Sequence, residues 1–453
     1  MASKRDLVEA HSFNRRRLVT AFLSGAPGGR EVEPVRYGRT LAGGIVLAAL
    51  LVAGAAVAGV LKPAVGDGWR ENGLVIAKDS GSRFVQYEGT LFPVINITSA
   101  RLALAGQDQV KVSYVPDDVL VDEPKSQPVG IPGAPDYLTP ASLLVQDRWS
   151  ACTNEQGGLT VDVSDTPGTR RSSQDSLLAR DTKDRLWLVS GSRRYAVPAG
   201  RLGQSVLRGV GVGQDDPFPA SDAWLQLVPE GTSLAPLTVP GSGSRFSGST
   251  GVAGLDVVGT PVSVDGTGYV LGRRGLVQLS DFAYAVYTAT SRLPEQQVDV
   301  GDVQSVPAQS ASGVVPGDWP TELPDQSDDR RPCLQLVAGE DGATSTPVLA
   351  EATRDEARAT GAQRLVRVEQ GRGALVRSTT RSRASTNDTT FLVDSRGTRF
   401  AIGPKDQVPT VLRALGYESV EPIATPRAWV ELFSSGPELS LAAAVQAADG
   451  AKQ

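Results

Sequence analysis

The sequence predicts a membrane protein with one transmembrane helix and an outer body that is α+β to mainly β, built from related hairpin and helix units. Three features carry this expectation: an unbroken apolar run near the N-terminus, apolar strands joined by polar glycine turns beyond it, and matching residues that recur at one fixed offset.

Residues 41–61, LAGGIVLAALLVAGAAVAGVL, contain no charge and are bounded by Arg39 and Lys62. At about 1.5 Å per residue, a helix of this length crosses a hydrocarbon core of roughly 30 Å. A charge at its centre would cost about 2.5 to 3.5 kcal/mol on insertion. A cleaved signal sequence is the competing reading, and the small residues between Ala53 and Ala58 imitate a cleavage site. Signal sequences, however, have an apolar core of roughly 7 to 15 residues close to the start, whereas this run is longer and begins only at Leu41. Lys4, Arg5, Arg15, Arg16, Arg17, Arg30, Arg36 and Arg39 precede it, while Asp67, Glu71 and Asp79 follow Lys62. Short basic flanks stay in the cytoplasm. The expected organisation is a cytoplasmic segment over residues 1–39, a transmembrane helix over 40–61 and an extracytoplasmic domain over 62–453.

Within the inner segment, residues 5–23 place Leu7, Val8, Phe13, Leu18, Val19, Phe22 and Leu23 near helical spacing, with Arg15, Arg16 and Arg17 between them. Gly25, Pro27, Gly28 and Gly29 break the pattern. Such a basic amphipathic helix suits either the anionic inner leaflet or a cytoplasmic partner protein, with the three arginines as docking candidates.

Beyond the anchor, residues 74–87 read as a hairpin with its turn at 78–82, and 110–121 as extended structure. Residues 130–135 form a loop fixed by two prolines and two glycines. Asn96-Ile97-Thr98 matches a glycosylation sequon that reads as incidental. The most informative feature is an internal repeat. Tyr195 and Phe400, Val206 and Val411, Trp224 and Trp429, and Gly231 and Gly436 share one offset (400 − 195 = 429 − 224 = 205). Each unit reads as a hairpin, a short amphipathic helix closed by Gly211 or Gly416, and a strand carrying the tryptophan. Two partial copies complete the set. One aligns Arg83-Phe84 after its turn with Arg399-Phe400, and the other is the hairpin 268–277 before a helix over 281–287. The expected boundaries are repeat 1 about 72–105, core about 106–180, repeat 2 about 183–237, repeat 3 about 264–298, core return about 330–385 and repeat 4 about 388–440. Such units cannot bury their own apolar faces, so they should pack on one another or on a common core. Gly/Ser-rich residues 240–251 and Pro/Ser/Asp-rich residues 304–329 read as loops or linkers, and the Ala-rich residues 441–453 as a frayed helix end.

Charged residues make up 21% of the 453, with net charge −5 and mean hydropathy −0.13, as suits a soluble domain on one anchor. Nothing in the outer part suggests nucleic-acid binding. Cys152 and Cys333 are the only cysteines and both fall on the outer side. An even pair in an oxidising compartment suggests one disulfide, the alternative being two separate buried thiols. A two-cysteine metal site is disfavoured because the sole histidine, His11, lies on the other side of the membrane.

No catalytic residues, cofactor or metal ligands are predicted. The chain lacks a G-x-x-x-x-G-K-[ST] phosphate loop, and the outer domain has no histidine to serve a serine or cysteine nucleophile. The pairs Asp117-Asp118, Asp215-Asp216 and Asp328-Asp329 read as solvated turn charges. Trp224 and Trp429, equivalent in two repeats, read as core anchors rather than a glycan-stacking platform.

The order of these features resembles the EccB family, a membrane component of the type VII (ESX) secretion system. The resemblance rests on Arg15-Arg16-Arg17 before a single anchor, the box at residues 93–102, the loop at 130–135 and Trp149 before Cys152. It continues through Arg331-Pro332-Cys333 and residues 412–417 ahead of Trp429, so that it covers essentially the whole chain. Ser12-Phe13-Asn14 departs from the Gly-Tyr-Arg box associated with many members. Membership implies an elongated, pseudo-two-fold outer domain with a central β-rich core and four repeats tied by one disulfide. It also implies a structural subunit of the cell-membrane secretion complex that works beside EccC, EccD, EccE and copies of itself around a translocation path. Two other readings are an extracytoplasmic nucleotide hydrolase, since ATPase activity has been suggested for the family, and a cell-wall-binding anchor.

Overall fold

The computed structural model describes residues 3–24, 37–60, 66–107, 110–213, 216–327, 329, 331–339, 343–353, 360–380 and 388–448. The chain divides into two compact units, Met1–Gly66 and Asp67–Gln453.

The first unit holds two helices, Lys4–Ser24 and Tyr37–Val60. Within the second, Gly38–Ala55 is the one described stretch long and apolar enough to cross a membrane, with mean hydropathy 1.7. Leu41, Ile45, Leu47, Leu50 and Leu51 expose their side chains all round it, the pattern of a helix whose solvent is lipid. The helix starts before Arg39 rather than after it. A long cationic side chain at a helix end can reach back to the interface, so Arg39 need not terminate the helix. Arg30, Arg36 and Lys62 lie outside the described residues.

The second unit contains five sheets. Four share one element order: a three-stranded antiparallel meander, a helix, a strand parallel to the first strand, a short helical turn, and a segment parallel to the third strand. In the first sheet the meander is Gly73–Ala77, Arg83–Tyr87 and Thr90–Pro93. Helix Ile97–Ala103 leads to the parallel strand Val112–Val115, and after Asp117–Leu120 the chain pairs Lys125 with Leu91. The second sheet runs Ser176–Arg180, Leu186–Ser190 and Arg193–Ala196, then helix Gly200–Gly209, strand Phe218–Pro219, turn Asp222–Leu225 and a Glu230 to Arg194 bridge. The third runs Pro261–Val264, Thr267–Gly272 and Gly275–Gln278, helix Asp281–Thr290, strand Gln296–Val298, turn Val300–Val303 and strand Ala308–Gln309. The fourth runs Ala374–Thr379, Thr389–Val393 and Thr398–Ile402, helix Val408–Leu415, strand Ile423–Pro426, turn Arg427–Val430 and strand Ser434–Ser435. A parallel strand needs a crossover, and the amphipathic helix is that crossover in each case.

The fifth sheet is central. Its order is Arg364–Val368, Leu159–Val163, Ser150–Thr153, Cys333–Ala338, Ser345–Ala352 and Thr169–Arg171, so two segments distant in sequence interleave. Ala151, Val161, Leu334 and Leu336 of this sheet bury against Trp149, Trp224 and Trp429. The crossover helices pair two by two: Ile97–Ala103 packs on Val408–Leu415, and Gly200–Gly209 on Asp281–Thr290.

Several local expectations need correction. Trp224 and Trp429 sit on the short helical turns Asp222–Leu225 and Arg427–Val430, not on strands. In the second sheet the Ser221 hydroxyl caps the turn by accepting the Trp224 N–H, a local signal that overrides the β propensity of the indole. Residues 110–121 are not extended throughout, because Pro116 ends the strand and starts the turn Asp117–Leu120. The Gly/Ser-rich and Pro-rich loops are not mere linkers, for Phe246 and Trp319 drop from them into the core. The Ala-rich tail is tied rather than frayed as far as residue 448, where Gly130 N–H donates to the Gln446 carbonyl and Ala448 N–H to that of Pro128; residues 449–453 lie outside the described residues. Finally, Arg83 lies on the middle strand of its meander whereas Arg399 lies on the third, so matching the two Arg-Phe pairs is one strand out of step. Both pairs follow a polar glycine turn, and local likeness alone does not fix which hairpin it belongs to.

Candidate functional site

Residues that recur at the 205-position offset meet one another in the structure. Tyr195 and Phe400 lie on the third meander strand of their sheets. A Cβ on Gly231 would come 2.5 Å from the Tyr195 ring, and one on Gly436 would come 2.4 Å from the Phe400 ring. The glycine of each pair is therefore the residue that lets the chain close over the aromatic ring. Val206 and Val411 are both fully buried on the crossover helices. Gly211 and Gly416 end those helices in the left-handed region, at φ +79° and +87°, and the next residue donates back to Leu207 and Leu412 respectively.

The offset extends to a pair that sequence reading missed. Arg194 and Arg399 donate through their guanidinium Nη1 to the carbonyls of Leu225 and Val430, the last residues of the two tryptophan turns. Each guanidinium also lies over an aromatic ring, Trp187 at 4.9 Å and Phe391 at 5.6 Å. In both, the buried Nε finds no acceptor. The adjacent Arg-Tyr and Arg-Phe dipeptides at the same offset were the available signal.

Trp224 and Trp429 are fully buried, but their hydrogen bonds differ. Trp224 Nε1 donates to Ala151 in the central sheet at 3.2 Å, and Trp429 Nε1 to Leu227 at 2.9 Å. Ala151 neighbours Cys152, which is paired directly opposite Cys333 across two antiparallel strands and bonded to it in a disulfide. The bridge thus ties the two chain segments of the central sheet. Arg15, Arg16 and Arg17 are exposed on helix Lys4–Ser24, and among the described residues only Arg16 of the three makes a side-chain bond, to Ser12. Leu7, Val8, Leu18, Phe22 and Leu23 are exposed on the same helix.

Among the described residues there is no group of three or more His, Cys, Asp or Glu side chains able to hold a metal ion. Asp117 instead locks a turn, accepting from the backbone N–H of Asp79 and Ser80. Asp215 and Asp328 lie outside the described residues. The Asn96 side chain is buried, caps helix Ile97–Ala103 through Ser99 and donates to the Ile131 carbonyl, so its sequon has no free acceptor amide. The most strongly shifted carboxyl is that of Asp181. Burial alone would raise it, but Trp187 Nε1, the Arg185 N–H and guanidinium and the Lys183 N–H all donate to it and bring it down to about 2.

The family model described as "Type VII secretion system ESX-1, transport TM domain B" matches residues 1–453. The chain is 26% identical to the ESX-2 secretion system ATPase EccB2 of Mycobacterium tuberculosis, covering 99% of this chain and 95% of that one. It is 31% identical to the ESX-1 secretion system ATPase EccB1 of the same species, over 43% of this chain and 42% of that one. Its fold matches a chain of an intact ESX-5 inner membrane complex with TM-score 0.63 at 21% identity, covering 100% of this chain and 97% of that one. It also matches the EccB3 dimer from the ESX-3 core complex with TM-score 0.63 at 21% identity, over 83% of this chain and 100% of that one. With one apolar N-terminal helix, a sheet-rich mixed α/β body, a disulfide across its central sheet and a match that runs the full length, the chain belongs to the EccB family of type VII secretion membrane components.

Proposed function

We propose that the chain is a structural, single-pass subunit of a type VII secretion complex in the cell membrane. The observation that carries this reading is the family match over residues 1–453. The basic residues before the apolar helix put the N-terminus in the cytoplasm and the second unit outside. There the sheet-rich unit scaffolds the extracytoplasmic part around the translocation path, beside subunits of the EccC, EccD and EccE kinds and further copies of itself. The solved relatives support assembly of this sort, being chains of an inner membrane complex and of a dimer. In this reading the four sheets of common element order are four copies of one unit. The pairing of crossover helices, first with fourth and second with third, supports a pseudo-two-fold arrangement about the central sheet.

The names of the relatives favour a second reading, nucleotide hydrolysis. This chain carries no G-x-x-x-x-G-K-[ST] loop to cradle phosphates. Purification of the full chain from membranes in mild detergent separates the two. The structural role predicts that other membrane subunits of the secretion machinery copurify, and that nucleotide turnover in the preparation follows the ATPase subunit rather than this chain. Turnover by the isolated chain that a single carboxylate substitution abolishes would replace the structural reading with the enzymatic one.

A further inference from the structure

In each of the four sheets of common element order, the strand parallel to the first lies at the sheet edge. Successive residues of an edge strand turn their N–H and C=O alternately towards the neighbouring strand and away from it. In the fourth sheet the outer side is occupied, because Ala424 N–H donates to the Ala343 carbonyl. In the second, Ala220 N–H donates inward to the Arg180 carbonyl, so the residue facing out is Pro219, which has no N–H to offer. In the third, Asp265 N–H donates to the Val298 carbonyl, which leaves the exposed, polar Gln297 facing out. The first sheet has none of these safeguards. Leu74 and Lys78 donate to the carbonyls of Lys111 and Val115, so Val112 and Tyr114 turn both backbone groups outward, where they have no hydrogen-bond partner among the described residues. Their side chains share a face with Leu74, which is buried with Val85 and Ala100, yet they are 47% and 61% exposed. Apolar side chains beside an unpaired ladder are the pattern of an edge that accepts another strand.

We propose that the edge Val112–Val115 is an interface between two copies of this chain, the edge of one pairing antiparallel with the same edge of the other. This names a surface for the self-association proposed above and rests on that reading. The occupant follows from the register. With Ser113 opposite Ser113 of the second copy, Val112 of each chain stands opposite Tyr114 of the other. Val112 N–H then donates to the Tyr114 carbonyl and Tyr114 N–H to the Val112 carbonyl, in both directions, so every outward N–H of the two strands finds an acceptor. The contact is isologous, as a two-fold dimer requires. It also sets each Val112 beside a Tyr114 on one face, a β-branched side chain against an aromatic one. Strands this short bury far less than the roughly 1,200 to 2,000 Å² of a self-standing interface. Anchoring both chains in one membrane raises their effective concentration, which lets so short a pairing hold.

The test is cysteine cross-linking of the full chain in its own membranes. The two native cysteines are bonded to each other and there is no third, so an introduced cysteine is the sole free thiol. Two Ser113 residues facing each other as a non-hydrogen-bonded pair stand about 4.5 Å apart between Cα atoms, within disulfide range. Ser113→Cys should therefore give a dimer-sized product on mild copper-phenanthroline oxidation, at least tenfold more than Gln297→Cys at the polar edge of the third sheet. Tyr114→Pro removes an outward N–H that the fold itself does not use, and should cut the product of Ser113→Cys about tenfold with the melting temperature unchanged. Where proline lowers the melt, Tyr114→Lys leaves the backbone intact and should block the edge in the same way. A product no more abundant than that of Gln297→Cys, one insensitive to both Tyr114 variants, or a disulfide to a different protein overturns the interface. Ser113→Cys that copurifies with other membrane subunits but forms no dimer overturns this interface alone, whereas absence of those subunits from the parent preparation overturns the reading on which it rests.

Discussion

Trp224 and Trp429 illustrate how a residue can be read correctly for burial and wrongly for its setting. Both are fully buried, and each spends its indole N–H on a backbone carbonyl in another part of the body. Replacing either with Ala removes the ring, leaves a cavity and orphans a carbonyl, which should cost about 3 to 5 kcal/mol. Urea denaturation of the full chain in detergent measures it, and variants as stable as the parent would contradict the packing described. Asp181 gives a pH test. Its carboxyl is lowered from 3.8 to about 2 in the folded protein, so the stability it contributes is present above about pH 4 and is lost as pH falls towards 2. Asp181→Asn should be less stable than the parent at neutral pH, by an amount on the order of 1 to 2 kcal/mol, and the two should converge near pH 2. Equal loss at every pH would assign the effect to geometry instead of charge.

Between elements, the contact that matters most is helix on helix. A Cβ on Gly209 would stand 2.6 Å from the Ala289 Cβ and 2.8 Å from the Ala285 carbonyl oxygen, so helices Gly200–Gly209 and Asp281–Thr290 touch through that glycine. Gly209→Ala should destabilise by about 1 to 3 kcal/mol because backbone atoms on the partner helix cannot step aside. Thermal melting of the full chain checks it, and a gain in stability, as expected for Ala in an unconstrained helix, would show that the helices are not in contact there. At this scale the sequence was legible where a signal was local. The hairpin turn at 78–82, the helix over 281–287 and the glycine caps at 211 and 416 all appear where the turn chemistry puts them. The parallel pairing of the fourth strands was not legible, although Val112–Val115 falls inside the stretch read as extended. Val112–Val115 and Phe218–Pro219 are short and carry no periodicity of their own, and their pairing is set by strands some forty residues away. The strand mismatch of Arg83 with Arg399 has the same origin, since two turns of one meander resemble each other more than their place in the sheet distinguishes them.

Across the molecule, the central sheet unites residues 150–163 with residues 333–352, and the disulfide closes a separation of 181 positions. On the chain-entropy model such a bridge contributes about 5 kcal/mol, so Cys152→Ala together with Cys333→Ala should lower the melting temperature markedly, and an unchanged melt would contradict its role as a clamp. Of the buried side chains singled out, the aromatics Tyr195 and Phe400 and the tryptophans Trp224 and Trp429 were legible because they recur at one sequence offset. Arg194 and Arg399 were missed although their Arg-Tyr and Arg-Phe dipeptides share that offset, because a guanidinium that caps a distant helical turn leaves no local mark. The central proposal is that this chain is a subunit of a membrane complex, with the basic helix Lys4–Ser24 as its candidate cytoplasmic docking element. Arg15, Arg16 and Arg17 are exposed on it. Reversing all three to Glu, then comparing protease accessibility with copurification in mild detergent, separates insertion from assembly. The account predicts unchanged orientation, held by Arg30, Arg36 and Arg39 nearer the membrane, together with loss of the partner subunits as attractive contacts become repulsive. A triple reversal that still copurifies with its partners and supports normal secretion would contradict it.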